Sequence, residues 1–341
     1  MATKQRLYDD VLEQRTGLEQ QVSTASARII QSATVPRKPH SPKKIKFLAI
    51  ALCLSATIGI VLAFMVDSLD KSTRSPKKLL EKLGVSVLGS IPVEPLLTKR
   101  KSFKPLQEFK GSSGYTESIR SLSTSLISHS HGSRAGNSYL IASALPGEGK
   151  SNTSLQLAHA LSLIDDTVLV DLDLRKRSLS NNISRQTKAG LYDVYYRESS
   201  LRDAIDIGGN NRSFDFIGTG EGVDPEIAYK MANDRQWVSN LFKVLEQRYR
   251  FVIVDGAPLQ MVNDSLAIAP LASGVVFLAK AGSTPLDLVE DCIGRLRSTE
   301  CNLLGVVLNH YDPKESDYGY GYGYGYGYGT HEIGSMSAQT A

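Results

Sequence analysis

The residues best suited to chemistry form a glycine-rich loop, Ala144–Ser151, which reads Ala-Leu-Pro-Gly-Glu-Gly-Lys-Ser. An apolar run precedes it and a helix-like segment, Asn152–Leu163, follows it, in the order of a phosphate-binding loop. The glycines let backbone N–H groups surround phosphate oxygens, and the start of the helix adds a favourable dipole. In such a loop Lys150 contacts the β- and γ-phosphates, and the hydroxyl of Ser151 binds Mg²⁺. The loop therefore predicts a nucleotide site, although Ala144 stands where a glycine is usual.

Two further apolar runs end in acids. Val168–Arg175 carries Asp171 and Asp173, and Phe251–Asp255 ends on one carboxylate. Parallel strands bind ligands at their carboxyl ends, so all three carboxylates are expected beside the loop. Side-chain alternation places Asp171 and Asp173 on one side of their strand, where they could share Mg²⁺ or accept a proton. Asp255 occupies the position whose carboxylate holds Mg²⁺ directly or through water.

The elements that position these residues alternate between strand-like and helix-like patterns, which predicts a mostly parallel α/β sheet with helices on both faces. The predicted strands are Tyr139–Ala144, Val168–Arg175, Phe251–Asp255, Gly274–Ala279 and Leu303–Leu308, and the predicted helices include Pro225–Tyr249 and Pro285–Thr299. Asn309 follows the last strand and is placed to reach the nucleotide base. The residues expected to bind ATP are Gly147, Glu148, Gly149, Lys150, Ser151, Asn152 and Asn309, and the expected Mg²⁺ ligands are Ser151, Asp171 and Asp255.

A second feature is an apolar segment, Phe47–Val66, that runs for 20 residues without a charge. A helix of this length spans a hydrocarbon core of about 30 Å, whereas buried core helices seldom run so long without a charge. Basic residues flank both ends, so the positive-inside rule does not choose an orientation. Because nucleotide is cytoplasmic, the C-terminal side is expected inside and the N-terminal arm outside. Within that arm, Tyr8–Ser32 has an amphipathic helical pattern.

Composition narrows the class of protein further. The formal net charge of +4 over 341 residues is too small to indicate a nucleic-acid partner. Cys53, Cys292 and Cys301 have no metal-ligand spacing, which favours a reduced compartment for the last two. A basic cluster, Lys99–Lys104, is either a contact for anionic lipid or a solvated linker.

The loop and the two acidic strands together resemble the bacterial tyrosine autokinases of capsule and exopolysaccharide assembly. The matching segments are Ser143–Ser151, Val168–Arg175 and Phe251–Pro258, while Pro36–Lys44 with the apolar span resembles the end of the family's chain-length-determinant module. The resemblance covers almost everything after Leu7. It implies an ATP- and Mg²⁺-dependent kinase at the inner membrane that phosphorylates its own tyrosines.

The resemblance also implies roles for individual residues and partners. Lys150 matches the phosphate-binding lysine, and Asp171 or Asp173 matches the acceptor of the tyrosine proton, with no means of separating the two. Further copies of the chain, the polysaccharide polymerase and export machinery, and a tyrosine phosphatase are the implied partners. No nucleic acid is implied.

Three departures from the family pattern stand out. The large external domain and first membrane span of full-length members are not recognisable, so residues 1–32 are expected to be a remnant of that region. Asp255-Gly-Ala-Pro258 replaces an Asp-Thr-Pro-Pro and keeps the acid. Glu117, Arg120 and Ser123 follow the spacing of a helix that packs subunits into a ring, but Ser123 stands where a second arginine is expected. The resemblance therefore does not extend to a ring built on that helix.

The C-terminal region alternates tyrosine with glycine through Tyr318–Gly329, hereafter the Tyr–Gly segment. Glycine keeps such a chain mobile and it cannot build a core, so the segment is expected to be disordered. It is either a low-complexity sequence prone to association or, beside a kinase site, the substrate. On the second reading the acceptors are Tyr318, Tyr320, Tyr322, Tyr324, Tyr326 and Tyr328.

The predicted organisation has five parts. These are an external arm with a Pro-rich connection (1–46), a transmembrane helix (47–66), a juxtamembrane linker (67–111), a cytoplasmic kinase domain (112–312) and the Tyr-rich tail (313–341). Two other functions fit the same sequence: a partitioning or positioning ATPase of the related deviant P-loop group, and a non-enzymatic scaffold with a vestigial nucleotide site. The ATPase group usually has an additional lysine early in the loop, which Ala144–Gly147 lacks.

Overall fold

The computed structural model describes residues 2–23, 43–69, 83–94, 113–130, 136–183, 187–208 and 213–312. The chain divides into two units, Met1–Leu69 and Asp70–Ala341. The first contains the helices Ala2–Ser23 and Lys44–Leu69. Within the second helix, Lys44–Met65 is long and apolar enough to cross a membrane, and its side chains are exposed. The arm helix begins earlier than the predicted Tyr8, and 24–32 lies outside the described residues.

The second unit is built on an eight-stranded sheet in the order β1-β8-β7-β2-β6-β3-β5-β4. Every pair of neighbours is parallel except β4 and β5, which confirms the predicted α/β class. The strands are β1 Val87–Pro92, β2 Asn137–Ser143, β3 Thr167–Asp171, β4 Ile205–Asp206, β5 Asp215–Ile217, β6 Phe251–Asp255, β7 Gly274–Lys280 and β8 Leu303–Tyr311.

Helices cover both faces of the sheet, so its strands are apolar on both sides. In β2, Tyr139 and Ile141 join one buried cluster while Leu140 and Ala142 join the other, as expected of strand alternation. The helices of this unit are Ser113–His129, Lys150–Ser162, Ser178–Asn182, Leu191–Tyr195, Leu201–Ala204, Pro225–Asn233, Arg235–Arg248, Asp264–Ile268 and Leu286–Ser298, with a 3₁₀ turn at Ala269–Leu271.

One predicted helix is two helices. The prediction of a single helix over Pro225–Tyr249 was wrong because Asp234 separates Pro225–Asn233 from Arg235–Arg248. The carboxylate of Asp234 accepts a hydrogen bond from the backbone N–H of Trp237 at 3.0 Å, which is the bond of a helix N-cap. An aspartate therefore starts a new helix where the apolar pattern runs on without a break.

The N-terminal edge of the sheet comes from a segment that the sequence assigned to the linker. β1 pairs in parallel with β8, from Val87 opposite Val306 to Pro92 opposite Tyr311. Residues 87–92 are therefore part of the sheet, and the folded domain begins before residue 112. The segments 70–82 and 95–112 on either side of β1 lie outside the described residues.

Candidate functional site

The glycine-rich loop connects β2 to the helix Lys150–Ser162, at the carboxyl edge of the sheet. Gly147 and Gly149 have φ angles of 84° and 94°, which side chains rarely tolerate. A Cβ at Gly149 would also collide with the amide nitrogen of Asn309. That amide donates to the carbonyl of Glu148 at 2.7 Å, so the last strand of the sheet supports the loop directly. Lys150 is buried, and its ammonium donates to the hydroxyl of Ser143 at 3.0 Å.

The predicted nucleotide contacts divide into two groups. Gly147, Gly149, Lys150 and Ser151 form the loop and the first turn of the helix. The side chains of Glu148 and Asn152 instead bind protein groups. The carboxylate of Glu148 accepts from the N–H of Leu145 at 2.6 Å and from the hydroxyl of Thr284. The amide of Asn152 donates to the hydroxyl of Tyr115 at 2.9 Å, which links the helix Ser113–His129 to the loop.

Two of the three acids lie side by side at the end of their strands. Asp171 and Asp255 are register partners in the parallel strands β3 and β6, and both are fully buried. Oδ2 of Asp171 accepts from the N–H and the hydroxyl of Ser180, at 2.8 and 2.6 Å. Oδ1 of Asp255 accepts from the hydroxyl of Ser154 at 3.4 Å. Oδ1 of Asp171 and Oδ2 of Asp255 are buried and have no hydrogen-bond partner.

The electrostatics of this pair suit a divalent cation. Burial raises the pKa of Asp255 to about 8, and the neighbouring carboxylate of Asp171 adds to that rise against the lowering effects of Lys150 and Ser151. Burial likewise raises the pKa of Asp171 to about 6. Two unpartnered carboxylate oxygens beside a phosphate-loop serine are hard oxygen ligands of the kind that Mg²⁺ prefers. The residues present therefore fit an Mg²⁺–nucleotide site.

Asp173 lies outside the strand. The predicted strand Val168–Arg175 was too long, because β3 ends at Asp171 and Asp173 follows it, although the charge of Asp173 still acts on Asp171. The N–H of Lys176 donates to its Oδ1 at 3.0 Å. Burial raises its pKa, opposed by the backbone of Lys176 and the charge of Lys150. Reciprocally, burial lowers the pKa of Lys150 while the charges of Asp255 and Asp173 raise it. Asp173 therefore shares the electrostatic environment of the loop without belonging to the strand pair.

Arg175, which lies in the turn after β3, forms an ion pair with Asp264. Its Nε donates to Oδ2 of the buried Asp264 at 2.8 Å, and its Nη2 donates to Oδ1 of the same carboxylate at 3.4 Å. This ion pair joins the turn that contains Asp173 to the helix that follows β6.

Sequence reasoning missed the residues that orient Asp171. Besides donating to Asp171, the hydroxyl of Ser180 accepts from the N–H of Thr219 at 2.9 Å. Arg177, which has a φ of 53°, donates through Nε to the hydroxyl of Thr219 at 2.8 Å and through Nη2 to the carbonyl of Gly220. A chain of hydrogen bonds therefore runs from Asp171 to the segment after β5. Ser180 lies in an ordinary polar stretch of sequence, so no pattern marks it.

We expect Ser180→Ala to weaken divalent-metal binding about three- to twentyfold, because one of the two bonds that orient Asp171 is lost. The measurement is a titration with Mn²⁺ followed by electron paramagnetic resonance, in the presence of a non-hydrolysable ATP analogue.

Ser178→Ala removes a hydroxyl from the same short helix and serves as the matched control. Ser180→Thr keeps the hydroxyl and should recover part of the affinity. Equal Mn²⁺ affinities in Ser180→Ala and Ser178→Ala would contradict the orienting role of Ser180.

The helix Ser113–His129 carries the Glu117, Arg120 and Ser123 spacing. Glu117 and Arg120 are exposed and lie 3.9 Å apart, so they are available on the surface of the chain. Ser123 is buried, and its hydroxyl donates to the carbonyl of Arg120 at 2.7 Å. Ser123, the third residue of this spacing, therefore faces the interior.

The six expected acceptor tyrosines, Tyr318 to Tyr328, lie outside the described residues.

Comparison with known proteins gives two kinds of similarity. Residues 1–67 match the family model described as a G-rich domain on putative tyrosine kinase. Tyrosine-protein kinase YwqD of Bacillus subtilis is 30% identical over 184 residues, which cover 53% of this chain and 76% of the relative. The putative tyrosine-protein kinase EpsB of Ralstonia nicotianae is 28% identical over 307 residues, which cover 86% of this chain and 40% of EpsB. The chain thus spans about two fifths of EpsB.

The fold has counterparts among solved structures. The kinase domain of the Escherichia coli tyrosine kinase ETK aligns with a TM-score of 0.64 and 26% identity, over 74% of this chain and all of that domain (100%). The chimerical protein CapA2B2 aligns with a TM-score of 0.60 and 25% identity, over 69% of this chain and 99% of that protein.

Proposed function

Because this chain belongs to the bacterial tyrosine kinases of capsule and exopolysaccharide biosynthesis, of chain-length-determinant type, we propose that it is a membrane-anchored, ATP-dependent tyrosine autokinase. The observation that carries the proposal is the pairing of a phosphate loop with two buried carboxylates, Asp171 and Asp255, each with one unpartnered oxygen. Such a pair is costly to bury unless a cation joins it. The arrangement is therefore suited to an Mg²⁺–nucleotide complex.

Each site residue takes a role that its contacts support. Lys150 would leave the hydroxyl of Ser143 to contact the β- and γ-phosphates, and the loop N–H groups would surround their oxygens. Ser151, Asp171 and Asp255 would hold Mg²⁺. When bound, Mg²⁺–ATP supplies the transferable phosphoryl group and neutralises the charge that develops on it. Asn309 would support the loop through its bond to Glu148, in place of the predicted contact with the base.

Asp173 is the better candidate for the proton acceptor. Asp171 is held by Ser180 and paired with Asp255, so its remaining oxygen is suited to the metal. Asp173 follows the end of β3 and is not part of the Asp171–Asp255 pair. Burial raises the pKa of Asp173, which increases the affinity of this carboxylate for the proton of an attacking tyrosine. The tyrosine hydroxyl has an ordinary pKa of about 10, so a nearby base is needed at neutral pH.

The proposed acceptors are the six tyrosines of the Tyr–Gly segment, supplied by one copy of the chain to the site of another. Phosphorylation would add about −1.5 to −2 charges to each tyrosine at pH 7, so successive modifications would make neighbouring segments repel. We propose that this charge regulates a polysaccharide polymerase and export complex at the inner membrane, with the kinase unit cytoplasmic and a tyrosine phosphatase reversing the reaction. Nucleic acid has no part in the proposal.

We expect mass spectrometry of the purified chain, incubated with ATP and Mg²⁺, to find phosphotyrosine concentrated in the Tyr–Gly segment. A chain that ends before Tyr318 should lose most of that signal while still binding ATP, because the acceptors are removed and the loop is untouched.

The alternative functions predict different results when the purified chain is incubated with ATP and Mg²⁺. An unchanged phosphotyrosine signal in the shortened chain would reject the segment as the acceptor. Steady release of inorganic phosphate without labelled protein would indicate an ATPase of the positioning type. Failure of the full chain to bind ATP would indicate a scaffold.

A further inference from the structure

A cluster of aromatic side chains is connected by hydrogen bonds to the residues that orient Asp171. The aromatic patch consists of Tyr192, Tyr195, Tyr196 and Trp237. Ring centroids of Tyr192 and Tyr196 are 4.9 Å apart, those of Tyr195 and Tyr196 are 5.2 Å apart, and those of Tyr195 and Trp237 are 5.1 Å apart. Tyr196 is 39% exposed, so the patch presents a ring to solvent. Tyr195 and Trp237 are partly buried against the core, so they support the exposed ring of Tyr196, which can pack against a further aromatic side chain.

The patch is anchored to the segment that orients Asp171. The N–H of Tyr192 donates to the carbonyl of Thr219 at 3.0 Å. Thr219 in turn donates to Ser180, which donates to Asp171. The path from the backbone N–H of Tyr192 to the Asp171 carboxylate passes through two residues and three hydrogen bonds. These two groups are therefore on the order of 10 Å apart. Gly222 packs on the Tyr192 ring, since a Cβ at Gly222 would lie 3.4 Å from Cζ of that ring.

We propose that the aromatic patch is a docking site for the Tyr–Gly segment, where one tyrosine is held while a neighbouring tyrosine occupies the active site; this rests on the proposed kinase function. The segment offers a tyrosine at every second residue, and in an extended chain tyrosines two and four positions apart are separated by about 7 and 13 Å. These spacings bracket the distance of about 10 Å from the backbone of Tyr192, within the patch, to Asp171. Glycine between the tyrosines lets the backbone lie close to the aromatic rings.

The segment also has the length to reach the patch. β8 ends at Tyr311 on the carboxyl edge of the sheet, and five strand spacings separate β8 from β5, or about 24 Å. Tyr328 is 17 residues beyond Tyr311, and an extended chain of that length reaches more than about 50 Å. The segment therefore reaches the patch of its own chain or of an adjacent copy.

The test uses the full-length chain with its own six segment tyrosines changed to serine, so that they do not compete. A dye-labelled peptide with the sequence of residues 316–331 is titrated by fluorescence anisotropy without ATP, and its phosphorylation is then measured with ATP and Mg²⁺. We expect Tyr196→Ala to raise both the peptide Kd and KM about three- to tenfold, with kcat and the KM for ATP unchanged. Tyr196→Phe keeps the ring and should behave as the wild type.

Two controls isolate docking from general damage. Ile164→Ala removes an exposed apolar side chain at the opposite, amino edge of the sheet and should leave Kd and KM unchanged. When a peptide with one tyrosine, the others being serine, is phosphorylated, no second tyrosine is left to occupy the patch, so its kcat/KM should be insensitive to Tyr196→Ala.

The outcomes separate this proposal from the kinase function. Peptide binding without phosphoryl transfer would reject the function and leave the docking site standing. The docking site would be overturned if the wild type transfers phosphate while Tyr196→Ala leaves the peptide Kd and KM unchanged. Equal losses of kcat/KM for phosphorylation of the peptides with one and with six tyrosines, or absence of peptide binding by the wild type, would also overturn it.

Discussion

Replacing Lys150 by methionine is expected to lower phosphotyrosine formation at least about a hundredfold, because it removes the charge that we propose contacts the transferring phosphoryl group. The fold should persist. Lys150 is buried, and burial lowers its pKa, which shows that the protein interior disfavours its charged form. Methionine has a similar length and no charge to bury, so the loop retains its volume. Phosphotyrosine mapping by mass spectrometry and thermal melting, both beside the wild type, measure the two effects.

Lys243→Met is the matched control, because Lys243 is exposed on the helix Arg235–Arg248. It removes the same charge from the chain and should leave phosphotyrosine at the wild-type level. Undiminished phosphotyrosine in Lys150→Met would show that the glycine-rich loop is not the phosphate site. A melting temperature that falls by more than about ten degrees would mean that lost activity reflects unfolding and not lost catalysis.

The position of the site was predictable because its signals are local. A glycine-lysine-serine turn after an apolar run and acids at the ends of two other runs each occupy a few consecutive residues. Parallel pairing then brings the ends of those runs to one edge, and Asp171 and Asp255 are register partners as a result. The neighbourhood of Asp173 differs, since β3 ends at Asp171, four residues before the predicted end at Arg175.

The supports of the site were not predictable, because they join residues far apart in the sequence. Thr284 donates to Glu148 across 136 positions, and Asn309 donates to the same residue across 161. A polar side chain that binds the protein is indistinguishable, by type alone, from one that binds a ligand. Glu148, Asn152 and Asn309 were all predicted to bind nucleotide, and the structure shows that their side chains also bond to protein groups around the loop; their contact with nucleotide stays a prediction.

The strand β1 was also not predictable from the sequence, because its pairing partner is distant along the chain. A short apolar run that ends at a proline is compatible with a linker or with an edge strand. Its partner, β8, lies more than two hundred residues further on, and Val87 pairs with Val306. Arg297 strengthens this edge by donating to the carbonyls of Leu83 and Gly84, at 3.2 and 3.1 Å. Residues 83–92 are therefore bound both to the last strand of the domain and to the helix Leu286–Ser298, which only the folded sheet reveals.

Asp255→Asn is expected to move activity and stability in opposite directions. The amide has the shape of the carboxylate but binds Mg²⁺ poorly, so phosphotyrosine formation should fall at least about a hundredfold. Without metal and nucleotide, the variant should be more stable than the wild type at pH 8. Burial, together with Asp171, raises the pKa of Asp255 from its ordinary 3.8 to about 8. The native state therefore keeps a proton that the unfolded chain loses, so wild-type stability falls as the pH rises from about 4 to 8.

Thermal melting between pH 5 and pH 8 measures this difference. The stability advantage of Asp255→Asn should be small near pH 5 and largest near pH 8, because an amide has no proton to lose. Millimolar Mg²⁺ with a non-hydrolysable ATP analogue should raise the melting temperature of the wild type and have little effect on the variant, since ligand binding stabilises only a protein that binds it.

Asp291→Asn, an exposed change on the helix Leu286–Ser298, controls for the loss of one negative charge and should follow the wild type at every pH. If Asp255→Asn were less stable than the wild type at pH 8, the Asp255 carboxylate would be stabilised in the native state by a cationic side chain and not by a bound metal. Lys150 is the cation that lowers the pKa of this carboxylate. The double variant Lys150→Met with Asp255→Asn would then recover the lost stability, whereas under the metal-site interpretation it should show no such recovery.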